Sequence, residues 1–187
     1  MKKSGRAIKL KLTKEHEKLW KILVFFVRLM VLSVPLYLVM YLGIDLYVLQ
    51  EAVAYQSAQI LALTGLHVEQ NRIMVKVGTE NPLLFVIDSD CTEWKSMLFF
   101  SALIFAVPGV ALKKRLSGIL LGIPLIWAGN ILRVVTTVMI ERQSGIETAL
   151  MLHDFAFRFG MAALVLVTWY LWLVFVCKTE TIKAHSR

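Results

Sequence analysis

Cysteine is scarce in this sequence: Cys91 and Cys177 are the two among 187 residues. They form no C-x-x-C pair, which excludes a thiol oxidoreductase needing two cysteines on one side of a membrane. One cysteine and one histidine near it fall short of the ligand count of a zinc site, so neither a metal nor any other cofactor is expected. The chain also lacks HExxH, GxSxG and a pair of intramembrane aspartates, which removes the other common protease chemistries. Internal repeats, low-complexity tracts and linkers are missing too. Residues 1–187 therefore read as a single domain.

Apolar sequence is abundant. Hydrophobic residues make up 58% of the chain, well above a soluble domain, and a hydrocarbon core takes roughly 20 helical residues to cross. Ile22–Leu42, Leu116–Ile140 and Gly160–Val176 suit that length, and Met97–Leu112 is shorter but extends backwards towards Cys91, so four spans are expected. The net charge of +8 does not imply nucleic acid, because the basic residues sit at alternate span ends. Residues 1–21 carry eight Lys/Arg against two Glu, and Lys113-Lys114-Arg115 is wholly basic, whereas residues 43–90 hold Arg72 and Lys76 against six acids. By the positive-inside rule both termini and the Lys113 connector are cytoplasmic. Residues 1–21 become a cytoplasmic basic tail, 43–96 an extracellular loop and 97–176 the core spans of a multi-pass protein in the cytoplasmic membrane. Ala52-Val53-Ala54 resembles a signal-peptide cleavage site, but the preceding apolar run is too long and ends about ten residues earlier, so an uncleaved anchor is expected.

Within the loop, Leu46–Leu63, preceded by Asp45, mixes Glu51, Gln56 and Gln59 with apolar residues and reads as an amphipathic helix lying on the outer surface or packed on the bundle. His67-Val68, Ile73–Val77 and Leu83–Ile87 read as strands separated by Gln70-Asn71 and by residues 78–82. The expected fold is thus an all-α integral membrane protein: a four-span helical bundle with an outer amphipathic helix and a small extracellular β hairpin or patch.

Polar residues then intrude where they are expensive. Asn130 and Arg133 interrupt the third span, and an arginine at a span centre costs roughly 2.5–3.5 kcal/mol on insertion scales. Three residues apart, they share one helix face and can point together into a bundle interior. Counting back from Ile140, Arg133 lies roughly 10 Å below the outer surface, the depth of a pocket open to the outside. His153 stands immediately before the last span, and Cys91 immediately before the second, both on that same side. Cys177, at the opposite end of the last span and about a bilayer away, is too far to form a disulfide with Cys91. His16, His67 and His185 read as solvated surface. A thiolate attacks a carbonyl, an imidazole moves protons, and a guanidinium stabilises the oxyanion of a tetrahedral intermediate. Together they spell acyl transfer through a thioester. The rival reading is a non-enzymatic four-span assembly or transport subunit in which Arg133 is a structural charge.

The order of a cysteine, Asn-x-x-Arg inside a span and a histidine heading the next span resembles the exosortase/archaeosortase family of membrane cysteine transpeptidases. DCTEWKSM around Cys91, NILR at Asn130–Arg133, and His153 carry the resemblance, which spans roughly residues 66–176. It implies that Cys91 is the nucleophile, His153 the general base or acid and Arg133 the oxyanion stabiliser, with Asn130, Lys95 and Asp154 in supporting or substrate-binding places. It also implies partners: proteins bearing a C-terminal sorting signal of short motif, transmembrane helix and basic cluster, and an acceptor that is often a membrane lipid. The family often has Gly two residues after the cysteine, where this chain has Glu93, and many members have additional spans, so this chain is a pared-down core.

Overall fold

The computed structural model describes residues 2–79 and 81–185, and the chain is mostly helical. Its elements run α1 (Lys2–Leu42), α2 (Tyr47–Leu63), β1 (Val68–Asn71), β2 (Met74–Val77), β3 (Leu83–Val86), a 3-10 turn (Ser89–Thr92), α3 (Trp94–Ala106), α4 (Leu112–Ser144), α5 (Ile146–Met151), a π-helical turn (Leu152–Phe157) and α6 (Arg158–His185). Among the described residues, three helical segments are long and apolar enough to cross a membrane: Glu15–Leu42, Leu112–Ser144 and Arg158–Val176. The expected fourth segment is shorter than its sequence suggests. α3 has 13 residues, roughly 20 Å of helix against a core of about 30 Å. Pro108-Gly109 ends it, with Gly109 at φ +78°, a conformation that glycine adopts without a steric penalty. Arg115 then seals the break: its guanidinium donates to the carbonyls of Phe105 (2.5 Å), Val107 (2.8 Å) and Val110 (3.0 Å). A residue legible as a topological charge is therefore also the cap of α3.

Two apolar cores are stacked along α4. The first joins α3, α4 and α6 through Phe100, Leu103, Ile104, Ile126, Met161, Val165, Trp172 and Val176. Gly118 and Gly122, a small-xxx-small pair, let it close, because a Cβ at Gly122 would overlap the Phe100 ring and one at Gly118 would meet Trp172 and Ile104. α1 lies outside this core against α3, and Phe25 meets Trp169 of α6 with ring centroids 6.1 Å apart. The second core joins the far half of α4 (Ile131, Val134, Val135, Val138) to α2 and the sheet. α2 presents Gln50, Val53, Ala54, Ser57, Ala58 and Leu61 as one buried stripe at helical spacing.

The strands form one antiparallel sheet in the order β1-β2-β3. Val75 and Val77 of β2 and Ile87 just beyond β3 bury one face against α2 and α4. β1 runs on through Asn71, where the sequence suggested a turn at Gln70-Asn71. The hairpin reverses instead at Arg72-Ile73, with Arg72 in the left-handed region at φ 56°, because pairing Asn71 with Met74 keeps Val75 and Val77 on the core side.

Candidate active site

The seam between the two cores is where the polar residues gather. β3 leads through Asp88, whose carboxylate accepts from the Ser89 amide at 2.6 Å, into the 3-10 turn that carries Cys91. Cys91 is half-buried. Asn130, fully buried on α4, donates from Nδ2 to the Cys91 carbonyl at 2.7 Å. The cysteine backbone is thereby pinned to the helix that bears Arg133.

Glu93 adds the second pin. It stands at φ 54°, ψ 23° at the head of α3, a left-handed conformation that costs a non-glycine residue about 1–2 kcal/mol. Its carboxylate pairs with Arg133 Nη1 and accepts from Ser96 Oγ at 2.5 Å. Arg133 is 8% exposed, and a charge so buried requires a partner. Position 93 thus has a backbone that suits glycine, and it carries instead the counter-ion of Arg133. Arg133 Nε and Asn130 Oδ1 are buried and take no hydrogen bond.

His153 lies in the π-helical turn joining α5 to α6, a local widening often found at functional sites. Cys91, Arg133 and His153 come from three different elements and line one cavity of about 260 Å³. Phe85 and Val86 of β3 and Ile87 just beyond it, Val134, Thr137, Val138 and Glu141 of α4, and Ile146, Ala149 and Leu150 of α5 supply its other walls. Arg133 and His153 also border a more polar cavity of about 440 Å³ with Asp90, Glu93, Lys95 and Arg158. Lys95 belongs to this second cavity and not to the first, with its ammonium on Asp90 at 2.7 Å. Asp154 has its backbone in the π-helical turn, and its side chain lies outside the described residues, as does that of Cys177. Sequence reasoning missed Glu93 as a partner of Arg133, and Thr137, Glu141 and Arg158 as cavity walls. The departure at Glu93 from the glycine of the resembling family pointed to unusual backbone there but not to the ion pair; the walls announce nothing in the sequence.

A half-buried thiol, an imidazole and a buried guanidinium thus line one cavity in a bundle of apolar helices of membrane-protein character. A family model for the transmembrane exosortases matches residues 16–173, and the chain belongs to that family. The match reaches back over α1 and α2, further than the motif-bearing region from residue 66. Membership supports a transpeptidase-like role in protein sorting. No curated protein and no solved structure matches the chain.

Proposed function

We propose that the protein is a cysteine transpeptidase that cleaves the C-terminal sorting signal of exported proteins on the outer membrane face and passes the new C-terminus to an acceptor, in this family often a membrane lipid. The observation that carries this reading is the shared cavity of Cys91, Arg133 and His153. The Cys91 sulfur attacks the scissile carbonyl while His153 takes the thiol proton. Arg133 donates to the oxyanion; Glu93 holds one arm of the guanidinium, which still borders the cavity. Collapse breaks the C–N bond, His153 returns the proton to the leaving amine, and a thioester remains on Cys91. An acceptor nucleophile then attacks that thioester, giving its proton to His153 and releasing the thiolate. In this arrangement α3 is the fourth membrane-crossing helix, short because the cysteine turn at its head stands at the level of the bond to be cut. Both termini face the cytoplasm.

The test is the covalent step. Hydroxylamine added during processing releases the N-terminal product as a hydroxamate from the unmodified enzyme, and Cys91→Ser gives none. Normal processing by Cys91→Ala would overturn the assignment. It would favour the second reading, a non-enzymatic membrane subunit, which has the Glu93–Arg133 pair as its specific support because that pair by itself accounts for a buried arginine.

A further inference from the structure

β3 is an edge strand, and between Pro82 and Asp88 its sequence carries no charge and no proline. The register Met74↔Val86, Val75↔Phe85 and the bond from the Ile87 amide to the Ile73 carbonyl (2.9 Å) show which residues of β3 bond to β2. In an antiparallel ladder alternate residues exchange both bonds, so Ile87, Phe85 and Leu83 face β2. The N–H and C=O groups of Leu84 and Val86 point the other way, to the edge. β2 is the only strand beside β3 among the described residues. Natural sheets blunt such edges with charges, proline or a covering element. β1, the opposite edge, has Glu69 ion-paired to Lys76 at 3.0 Å. β3 reads Leu-Leu-Phe-Val, with Leu84 and Val86 both more than half exposed.

That edge reaches the cavity at Val86. Phe85, Val86 and Ile87 form one wall of the space that contains Cys91, with α4 and α5 opposite. We propose that β3 is the docking strand for the substrate: an extended segment of the exported protein pairs with its free edge as a fourth strand and so delivers the scissile carbonyl to Cys91. This rests on the reading of Cys91 as the nucleophile. Leu84 and Val86 offer a donor and an acceptor at every second residue, roughly 7 Å apart, which an extended polypeptide complements and an acyl chain does not. The direction follows from the chain itself. β3 runs towards Cys91 and the chain then turns into α3, so a substrate that runs down to its cut site and on into its own membrane helix pairs parallel to β3. Recognition is then largely through the substrate backbone, with side chains read by the apolar walls at alternate positions.

The probe is a biotinylated tetrapeptide chloromethyl ketone of alternating Ala and Val, used on the full chain in detergent. The Cys91 sulfur displaces chloride from the methylene carbon, forming a C–S bond as the thiol proton passes to solvent. Labelling is read at Cys91 by mass spectrometry, with chloroacetone as the electrophile lacking a peptide backbone. The tetrapeptide should label at least tenfold faster at equal concentration, with saturation. N-methylation of one alternate pair of its residues should abolish that advantage, and N-methylation of the other pair should leave it. Val86→Pro, which deletes an edge N–H without touching the β2 ladder, should bring the tetrapeptide down to the rate of chloroacetone on the same variant; Val86→Ala, which retains the N–H, should keep a peptide advantage over chloroacetone. Equal effects of the two N-methyl frames, or no advantage of peptide over chloroacetone, would overturn the docking strand, and these readouts need no variant to fold. Processing that stays Cys91-dependent alongside such a result would sink the edge alone. Processing by Cys91→Ala would sink the nucleophile assignment instead, without changing the labelling rates.

Discussion

Replacing Glu93 by glycine sets two effects against each other at one residue. Glycine relieves the left-handed backbone at φ 54°, worth about 1–2 kcal/mol. It also strips Arg133 of its carboxylate. The paired side chains are 9% and 13% exposed, so solvent screens them little, and removing one partner of a buried pair costs about 3–5 kcal/mol. The ion pair wins, and Glu93→Gly should destabilise by about 1–4 kcal/mol. Glu93→Ala keeps the strain and loses the pair, and should fall a further 1–2 kcal/mol or so, roughly 2–8 °C in Tm for a chain of this size. Thermal unfolding of the purified full-length protein in detergent, followed by helical circular dichroism, should therefore rank the parent above Glu93→Gly and Glu93→Ala last. A glycine variant as stable as the parent would mean that the pair contributes no more than the strain relief offsets, about 1–2 kcal/mol, and the account of how Arg133 is tolerated would fail. Alanine and glycine variants of equal stability would refute the strain half of the argument.

Arg133→Lys keeps the charge but loses the planar fork; if the guanidinium serves an oxyanion, processing should drop about 100-fold at near-normal protein level, as read by the ratio of cleaved to uncleaved substrate on immunoblots. In intact cells a membrane-impermeant maleimide should label Cys91 and spare Cys177, with the gel shift of a polyethylene glycol adduct as readout; labelling of Cys177 alone would reverse the orientation. His153→Ala should diminish both formation and resolution of the Cys91 adduct, because one imidazole serves both steps, measurable as lower hydroxamate yield and slower loss of the trapped species. Gly122→Ala should cost about 1–3 kcal/mol through overpacking against Phe100, visible as a lowered Tm.

Hydropathy and charge alternation made the long helices legible, because a membrane core demands length and apolar composition and both are local properties of sequence. The ends were less legible. α4 runs over 33 residues and outlasts the apolar run Leu116–Ile140 at both ends, and its far half packs on α2 and the sheet through Val134, Val135 and Val138. α3 stops early because Pro108-Gly109 and the reach of Arg115 decide its end, and a three-pronged cap made by a residue of the next helix has no periodic signal. At the site, Asn130 and Arg133 could be placed on one face from their spacing alone. Which residue each one meets could not, since Cys91 and Glu93 lie 39 and 40 positions away in sequence. Such pairings depend on how β3 enters the bundle.

The stacked cores explain why a buried arginine sits where it does. Below Asn130, α4 packs with the bundle helices; above it, the same helix packs with α2 and the sheet. The chain passing from β3 into α3 carries polar groups, main-chain and side-chain, into this junction, and burying them is costly unless they are bonded. Asn130 takes up the Cys91 carbonyl and Arg133 the Glu93 carboxylate, so the two polar residues of α4 are what makes that crossing tolerable. The same contacts fix the thiol-bearing turn against the helix that supplies the guanidinium. Stabilising the crossing and assembling the cavity are therefore one task, and a variant of Asn130 should disturb both together. Asn130→Ala, which frees the Cys91 carbonyl in a buried site, should cost about 1–3 kcal/mol and should also lower the alkylation rate of Cys91 by the tetrapeptide chloromethyl ketone. A variant that lost stability yet kept the parent's alkylation rate in its folded fraction would separate the two tasks and refute their identity.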